Sequence, residues 1–199
     1  RMAMLGSNGQ KYEFLLKGKE DLRQDERVMQ LFGLINVCLA NSRTTKQAGL
    51  AIVRYSVLPL SNNSGVIGWV QNCDTFHGLL ASYREERNIP LTLEPSLLRA
   101  KVGGGNHIRK YDALPLLNKV EIFQEILEET TGQDLEKMLW LKSRTADVWV
   151  QRRENFTRSV AVTSIVGYIL GLGDRHMANV MLDRVSGRVI HIDFGDCFE

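Results

Sequence analysis

Hydrophobic and polar positions follow two different rhythms along this chain, and the change comes near Trp69. Residues 1–17 read as a β-hairpin: Ala3-Met4-Leu5, a GSNG turn over Gly6–Gly9, then the strand YEFLLK ending at Lys17. A long helix is expected next, from about Glu20 to Ala40, with Glu20 and Asp21 in its first turn, where the helix dipole favours acids. Two further strands, Ala51–Pro59 and Val66–Val70, flank the turn-rich SNNSG. Beyond Trp69 the apolar positions take helical spacing over Thr75–Arg87, Leu116–Glu129, Leu135–Leu141 and Ala146–Leu170. An irregular stretch, Asn88–Pro115, holds Gly103-Gly104-Gly105 and three of the four prolines. Gly171-Leu172-Gly173 stops the last helix, and a second hairpin runs VMLD, RVSG, RVIHIDF. The pattern is α+β: a small sheet with one helix, then a helical half.

The first helix carries one anomaly. At about 100° per residue, Leu22, Val28, Met29, Phe32, Ile35 and Leu39 share a stripe, and Asp25 falls inside it while Arg23, Glu26, Arg27 and Gln30 fall outside. A carboxylate on a buried stripe is costly unless paired, so Asp25 invites a cation such as Lys17. A surface helix with scattered charges, the plain alternative, would not put its acid there.

Composition narrows the class without naming it. With 44% hydrophobic and 24% charged residues, the 199-residue chain reads as an ordinary globular protein. A net charge of +2 is too small to make nucleic acid or a membrane the main partner. Cys38, Cys73 and Cys197 have neither zinc nor disulfide spacing, as expected for a reducing, intracellular compartment. The chain opens on Arg1 and closes just after its strongest motif, so it is read as incomplete at both ends.

That motif is GDRHMANVMLDRVSGRVIHIDFGD, residues 173–196. Phosphoryl transfer asks little covalent help of a protein; it needs metal ions on the phosphates and a group that orients the attacking hydroxyl. Asp174 and Asn179 stand at the i, i+5 spacing of a protein-kinase catalytic loop, and Asp193-Phe194-Gly195 follows on the hairpin. An amide and a carboxylate, Asn179 and Asp193, are hard oxygen ligands suited to magnesium. A fixed cation on the phosphates is the role open to Lys17. Gly68-Trp69-Val70, between the two halves, could read adenine's edge with its backbone and offer an indole face; a Gly-Trp pair is also ordinary core packing. Gly103-Gly104-Gly105 lacks the strand and helix of a phosphate loop, His77 and His107 are too isolated for a metal, and Arg152, Arg153 and Arg158 read as a solvated helix face.

Asp174-Arg175-His176 with the following DFG is the reverse of His-Arg-Asp, and resembles the phosphatidylinositol-3-kinase superfamily of lipid kinases and related protein kinases. The segments FLLKG, EDLRQDERVMQLFG, SGVIGWV, DLEKMLWLKS, VGYILGLGDRH and HIDFGDCFE resemble its TOR branch in particular. The resemblance implies a two-lobed kinase fold: an N-lobe over 1–67, a hinge at 68–71, and a C-lobe over 72–199. It implies a Ser/Thr protein kinase using ATP and magnesium in nutrient and growth signalling, with a phosphoinositide kinase and a catalytically silent scaffold as alternatives. Lys17 would hold the phosphates with Glu20 and Asp25 as acidic neighbours. The Val70 amide would bond adenine in a pocket of Leu15, Tyr55, Ile67, Gly68, Trp69, Met181 and Ile192. Asp174 and His176 would act on the substrate hydroxyl and the transition state.

The same resemblance implies a protein substrate, a larger multi-subunit complex and a WD40-propeller partner docked on an insertion near 88–119. It places the protein in the cytoplasm, recruited to endomembranes by partners, with no direct nucleic-acid binding. Met177-Ala178 replace the family's usual Pro-Ser after GDRH, and neither position supplies a ligand, so chemistry should persist with altered loop rigidity.

Overall fold

The computed structural model describes residues 1–102 and 111–198 and divides into two compact units, Arg1–Phe76 with Thr145–Glu199, and His77–Arg144. Both expected hairpins are present. In the first unit, β1 (Met2–Leu5) and β2 (Lys11–Gly18) pair antiparallel, and β2 continues to β4 (Ser64–Gly68) and then β3 (Val57–Ser61). Leu15 faces Ile67, and Lys17 faces Gly65. Pro59, which lacks a ladder donor, sits on the edge strand β3, where the register also shifts.

Helix α1 spans Arg23–Asn41, three residues later than its charge pattern suggested. Glu20 and Asp21 precede it; Asp21 instead accepts the backbone N–H and the guanidinium of Arg23. Its predicted stripe is the core of this unit: Leu22, Val28, Met29 and Phe32 cluster with Ile52, Val57, Val162, Val166, Phe194 and Cys197. Residues 51–56 are not the strand their apolar run predicts. The side-chain amide of Asn36 takes both backbone groups of Ile52, donating to its carbonyl at 2.9 Å and accepting its N–H at 2.8 Å. Those groups are thereby withdrawn from any ladder. A short α2 (Arg43–Gln47) precedes this segment.

The longest helix, α7 (Ala146–Leu170), begins at the Thr145 cap, whose hydroxyl accepts the Val148 N–H, and ends on Gly171 in the left-handed region at φ 59°. Leu172 N–H returning to the Gly167 carbonyl at 2.8 Å completes a Schellman-type stop. The second hairpin, β6 (Val180–Asp183) and β7 (Val189–His191), lies against α7: Ser159 Oγ accepts the Val189 N–H at 2.9 Å. A third strand, β5 (Cys73–Thr75), pairs with β6; it is too short to show alternation in sequence. Arg152, expected on a solvated face, donates to the Val185 carbonyl at this hairpin's turn.

The second unit is helical: α3 (Phe76–Glu85, all but its first residue), α4 (Leu93–Val102), α5 (Leu116–Glu129) and α6 (Asp134–Leu141). Its interior is built on Leu79, Tyr83, Ile126, Met138 and Leu139. Helix α4 corrects the expectation of an irregular segment. Pro95 reads as a breaker but falls in the first turn, where the missing N–H has no helical partner to lose. Gly103-Gly104-Gly105 and His107 lie outside the described residues. No helix among the described residues is long and apolar enough to cross a membrane.

Candidate active site

A cavity of about 330 Å³ opens in the first unit. Leu15 on β2 and Ile67 on β4, neighbours in register, line it with Tyr55, and Met181 and Ile192 from the second hairpin add apolar wall. Gly68, Trp69 and Val70 border it as well. A Cβ on Gly68 would lie 2.2 Å from Ser56 Oγ, so a larger residue there would have to turn that hydroxyl aside. Gly68 and Trp69 N–H groups are taken by Ser56 and Glu13 carbonyls, whereas the Val70 N–H has no partner among the described residues. Trp69 is 39% exposed, its ring covered on one face by the Arg1 guanidinium at 4.2 Å. Burial pushes the Tyr55 phenol well above its ordinary pKa, so it stays neutral. Thr75 on β5 also lines the cavity; its strand gave no signal in the sequence.

The charged residues of the lining are Lys17 and Asp193. Lys17 Nζ pairs with Glu20 at 2.7 Å. Burial opposes the ammonium, but the Glu20 bond and the negative fields of Asp193, Glu20 and Asp25 outweigh it and raise the Lys17 pKa. Asp25 is 7% exposed and, contrary to the direct pairing with Lys17 expected of it, accepts the Phe194 N–H at 3.1 Å. Burial raises the Asp25 pKa, partly offset by that hydrogen bond and by Lys17.

The reversed loop is tied together by its own residues. Buried Asn179 donates its amide to the Asp174 carbonyl at 3.0 Å and to Asp174 Oδ2 at 3.1 Å. Its Oδ1 is left without a protein partner among the described residues. His176 Nδ1 accepts the Ala178 N–H at 3.1 Å, which puts the proton of the neutral ring on Nε2, 3.7 Å from Asp174 Oδ2. Asp174 and Asp193 both sit in the left-handed region, at φ 49° and 61°, an uncommon place for residues with a side chain.

Arg175, which the sequence reading passed over, holds these strained points together. Its guanidinium donates to the carbonyls of Gly173 at 2.6 Å, Ile192 at 2.9 Å, Asn179 at 3.5 Å and Asp193. It also lies 5.7 Å from the centre of the Phe194 ring. Burial lowers the Arg175 pKa against the fields of Asp174 and Asp193. Phe194 is fully buried and meets Phe32 of α1 edge to face, with centroids 5.6 Å apart. Nothing in a sequence shows that an arginine is spent on backbone carbonyls.

These residues fit a metal–nucleotide complex. A cavity walled by Leu15, Ile67, Met181 and Ile192 suits a flat base, with a cation and a carboxylate for phosphates and metal. Asn179 Oδ1 and the Asp193 carboxylate are hard donors free to bind magnesium. Among the described residues no group of three or more His, Cys, Asp or Glu could hold a metal by itself.

The sequence profile described as "Phosphatidylinositol 3- and 4-kinase" matches residues 11–199. The chain belongs to that family. Over its whole length it is 59% identical to "Serine/threonine-protein kinase TOR" of Oryza sativa subsp. japonica and 55% identical to "Serine/threonine-protein kinase mTor" of Drosophila melanogaster. Identity falls to 34% for "Serine/threonine-protein kinase SMG1" of Danio rerio, which sets the likeness on the TOR branch. The chain spans 8% of the length of the rice and fly relatives. Among solved structures, "FAT and kinase domain of CtTel1" superposes with a TM-score of 0.79 at 33% identity, over 99% of this chain and 14% of that one. The α+β kinase-like fold expected from the motifs is therefore the fold of the family.

Proposed function

We propose that this chain forms most of the catalytic core of an ATP- and magnesium-dependent Ser/Thr protein kinase of the TOR type, acting in nutrient and growth signalling. One observation carries the reading. Lys17 and Asp193 share the wall of one apolar cavity, and Arg175 ties the Asp193 backbone to the loop bearing Asp174 and Asn179. Leu15, Ile67 and Met181 would sandwich the base, with the Val70 N–H as donor to its edge, and Lys17 would hold the phosphates. Magnesium held by Asn179 and Asp193 would neutralise charge on the transferring group. Asp174 would orient the substrate hydroxyl and accept its proton, and His176 Nε2–H would donate toward charge developing nearby.

The phosphoinositide-kinase alternative is disfavoured, because the TOR and SMG1 relatives are named protein kinases. A silent scaffold is disfavoured by retention of Lys17, Asp174, Asn179 and Asp193 together. The proposal extends to a protein substrate, a multi-subunit assembly, a propeller-type partner on residues 88–119, and a cytoplasmic site with recruitment to endomembranes. It keeps the lobes at 1–67 and 72–199 with a hinge at 68–71.

The test is nucleotide affinity beside steady-state turnover. Asp174→Ala and His176→Ala should each lower turnover by about two to four orders of magnitude while ATP still binds. Asp193→Ala should abolish turnover without unfolding the protein. An Asp193→Ala protein as active as its parent at saturating magnesium would sink the reading.

A further inference from the structure

Gln24 carries no charge, lies off the apolar stripe of α1 and has no part in the chemistry above. Yet its side-chain amide reaches the far end of the chain. Gln24 Nε2 donates to the carbonyls of Phe194 at 2.9 Å and Gly195 at 3.1 Å, with Cys197 at 3.4 Å. Three surrounding acceptors fix which end of the amide points inward, since Oε1 there would face only carbonyl oxygens.

The next residue completes the grip. Asp25 Oδ1 accepts the N–H of the same Phe194 whose carbonyl Gln24 holds. Two consecutive side chains of α1 therefore read both backbone groups of one residue, as a neighbouring strand would. From the other side, Arg175 holds the carbonyls of Ile192 and Asp193. Asp193, in its left-handed conformation, is the residue between these two grips. A strained backbone persists only where its surroundings over-determine it.

We propose that Gln24 is a positioning residue for the magnesium-binding carboxylate: it locks the backbone after Asp193 to helix α1. This rests on the kinase reading of the site. Lys17 on β2 pairs with Glu20 just before this helix and lies in the field of Asp25 on it, so α1 bears on both the cation on the phosphates and the carboxylate on the metal. A displacement of α1 would disturb both at once.

Gln24→Ala removes the grip, and Gln24→Glu sets carboxylate oxygens against three carbonyls at nearly constant volume. Gln30→Ala is the control. Among the described residues the Gln30 side chain bonds only Glu26 and Arg27, along the surface of the same helix, so it tests loss of helix contacts alone. The protein would be used as it is expressed in the cell. Affinity for Mn²⁺ in the presence of ATP would be read by electron paramagnetic resonance, and turnover measured against magnesium concentration.

Both Gln24 variants should bind the ion roughly tenfold more weakly, as commonly follows the loss of a group that orients a metal ligand, with Gln24→Glu the weaker. Excess magnesium should restore part of the turnover of Gln24→Ala, and metal-free ATP affinity should hold. Parent-like ion affinity in Gln24→Ala, or an equal loss in Gln30→Ala, would overturn the proposal. If the parent binds ion and nucleotide but transfers no phosphate, the kinase reading fails while the Mn²⁺ comparison still decides the role of Gln24.

Discussion

Arg175 and Asp25 show how much of this site rests on side chains that address backbone. A guanidinium can serve several carbonyls because its donors lie in a rigid planar fork, which an ammonium on a flexible stem cannot copy. Arg175→Lys keeps the charge and loses the fork, so the carbonyls of Gly173, Ile192 and Asp193 lose their common donor. A displacement of about 1 Å in a catalytic loop can cost on the order of a hundredfold in rate, and that is the drop expected in turnover for Arg175→Lys. Parent-like turnover would show that the fork is dispensable. Asp25 makes a prediction of opposite sign for stability. Its folded pKa is raised by burial, so its contribution is fully present below the unfolded carboxylate pKa and is lost as pH rises through the folded value. Asp25→Asn keeps an oxygen for the Phe194 N–H and removes the buried charge. Thermal melting should therefore show the variant more stable than the parent near pH 7, the difference closing in acid. Turnover should fall, because Lys17 loses one of the fields that hold its charge. A variant less stable than the parent at pH 7 would mean that the charge itself is favourable there.

At the scale of elements, Asn36 decides what residues 51–56 become. Both backbone groups of Ile52 bond to its amide, and Ile52 is in the core. Asn36→Ala would strand a donor and an acceptor, which should destabilise by about 2 kcal/mol. The segment also leads to Tyr55 on the cavity wall, so ATP affinity should weaken with it. Urea unfolding and nucleotide titration check the two effects, and an unchanged midpoint would dismiss the role given to Asn36. This segment shows why some of the fold was illegible in sequence. Helices α5 and α7 were readable to the residue because their apolar period is local, and for α7 the stop at Gly171 agrees with it. Residues 51–56 carry a strand pattern overridden by one amide 16 positions away, and β5 is a strand only because β6 lies beside it. The cavity residues Leu15, Lys17, Ile67, Met181 and Asp193 were legible through motif and resemblance. Gln24 and Arg175 were not, because bonding to carbonyls leaves no mark in residue type or spacing.

At the scale of the molecule, the division into two compact units separates the cavity from the segment proposed to carry a partner. Every residue lining the cavity belongs to the first unit, whereas α4, at the head of that segment, belongs to the second. The second unit is tied together by Arg84 on α3. It donates to Asp134 of α6 at 2.7 Å and to Glu94 of α4, one contact to Glu94 being 2.9 Å. The Glu94 hydrogen bond raises the Arg84 pKa, and Arg84 in turn lowers that of Glu94, as a tight, half-buried pair should. Removing one partner of such a network costs more than the network contributes, because the remaining charges are left in a poor solvent. Glu94 is 36% exposed and its stranded charge is screened by water, so Arg84→Met should destabilise the second unit by only about 1–2 kcal/mol. Replacing Glu94 and Asp134 by Gln and Asn in the same protein should regain part of that loss by removing the stranded charges. Local opening would be followed by hydrogen exchange over α3, α4 and α6, with ATP affinity and capture of a propeller-type partner measured in parallel. Exchange should rise and capture should fall in Arg84→Met while ATP affinity holds, since the groups that Arg84 bonds all lie in the second unit. Loss of ATP affinity in step with the exchange would mean that the cavity needs the second unit intact, and that the division seen in the backbone is not a division of labour.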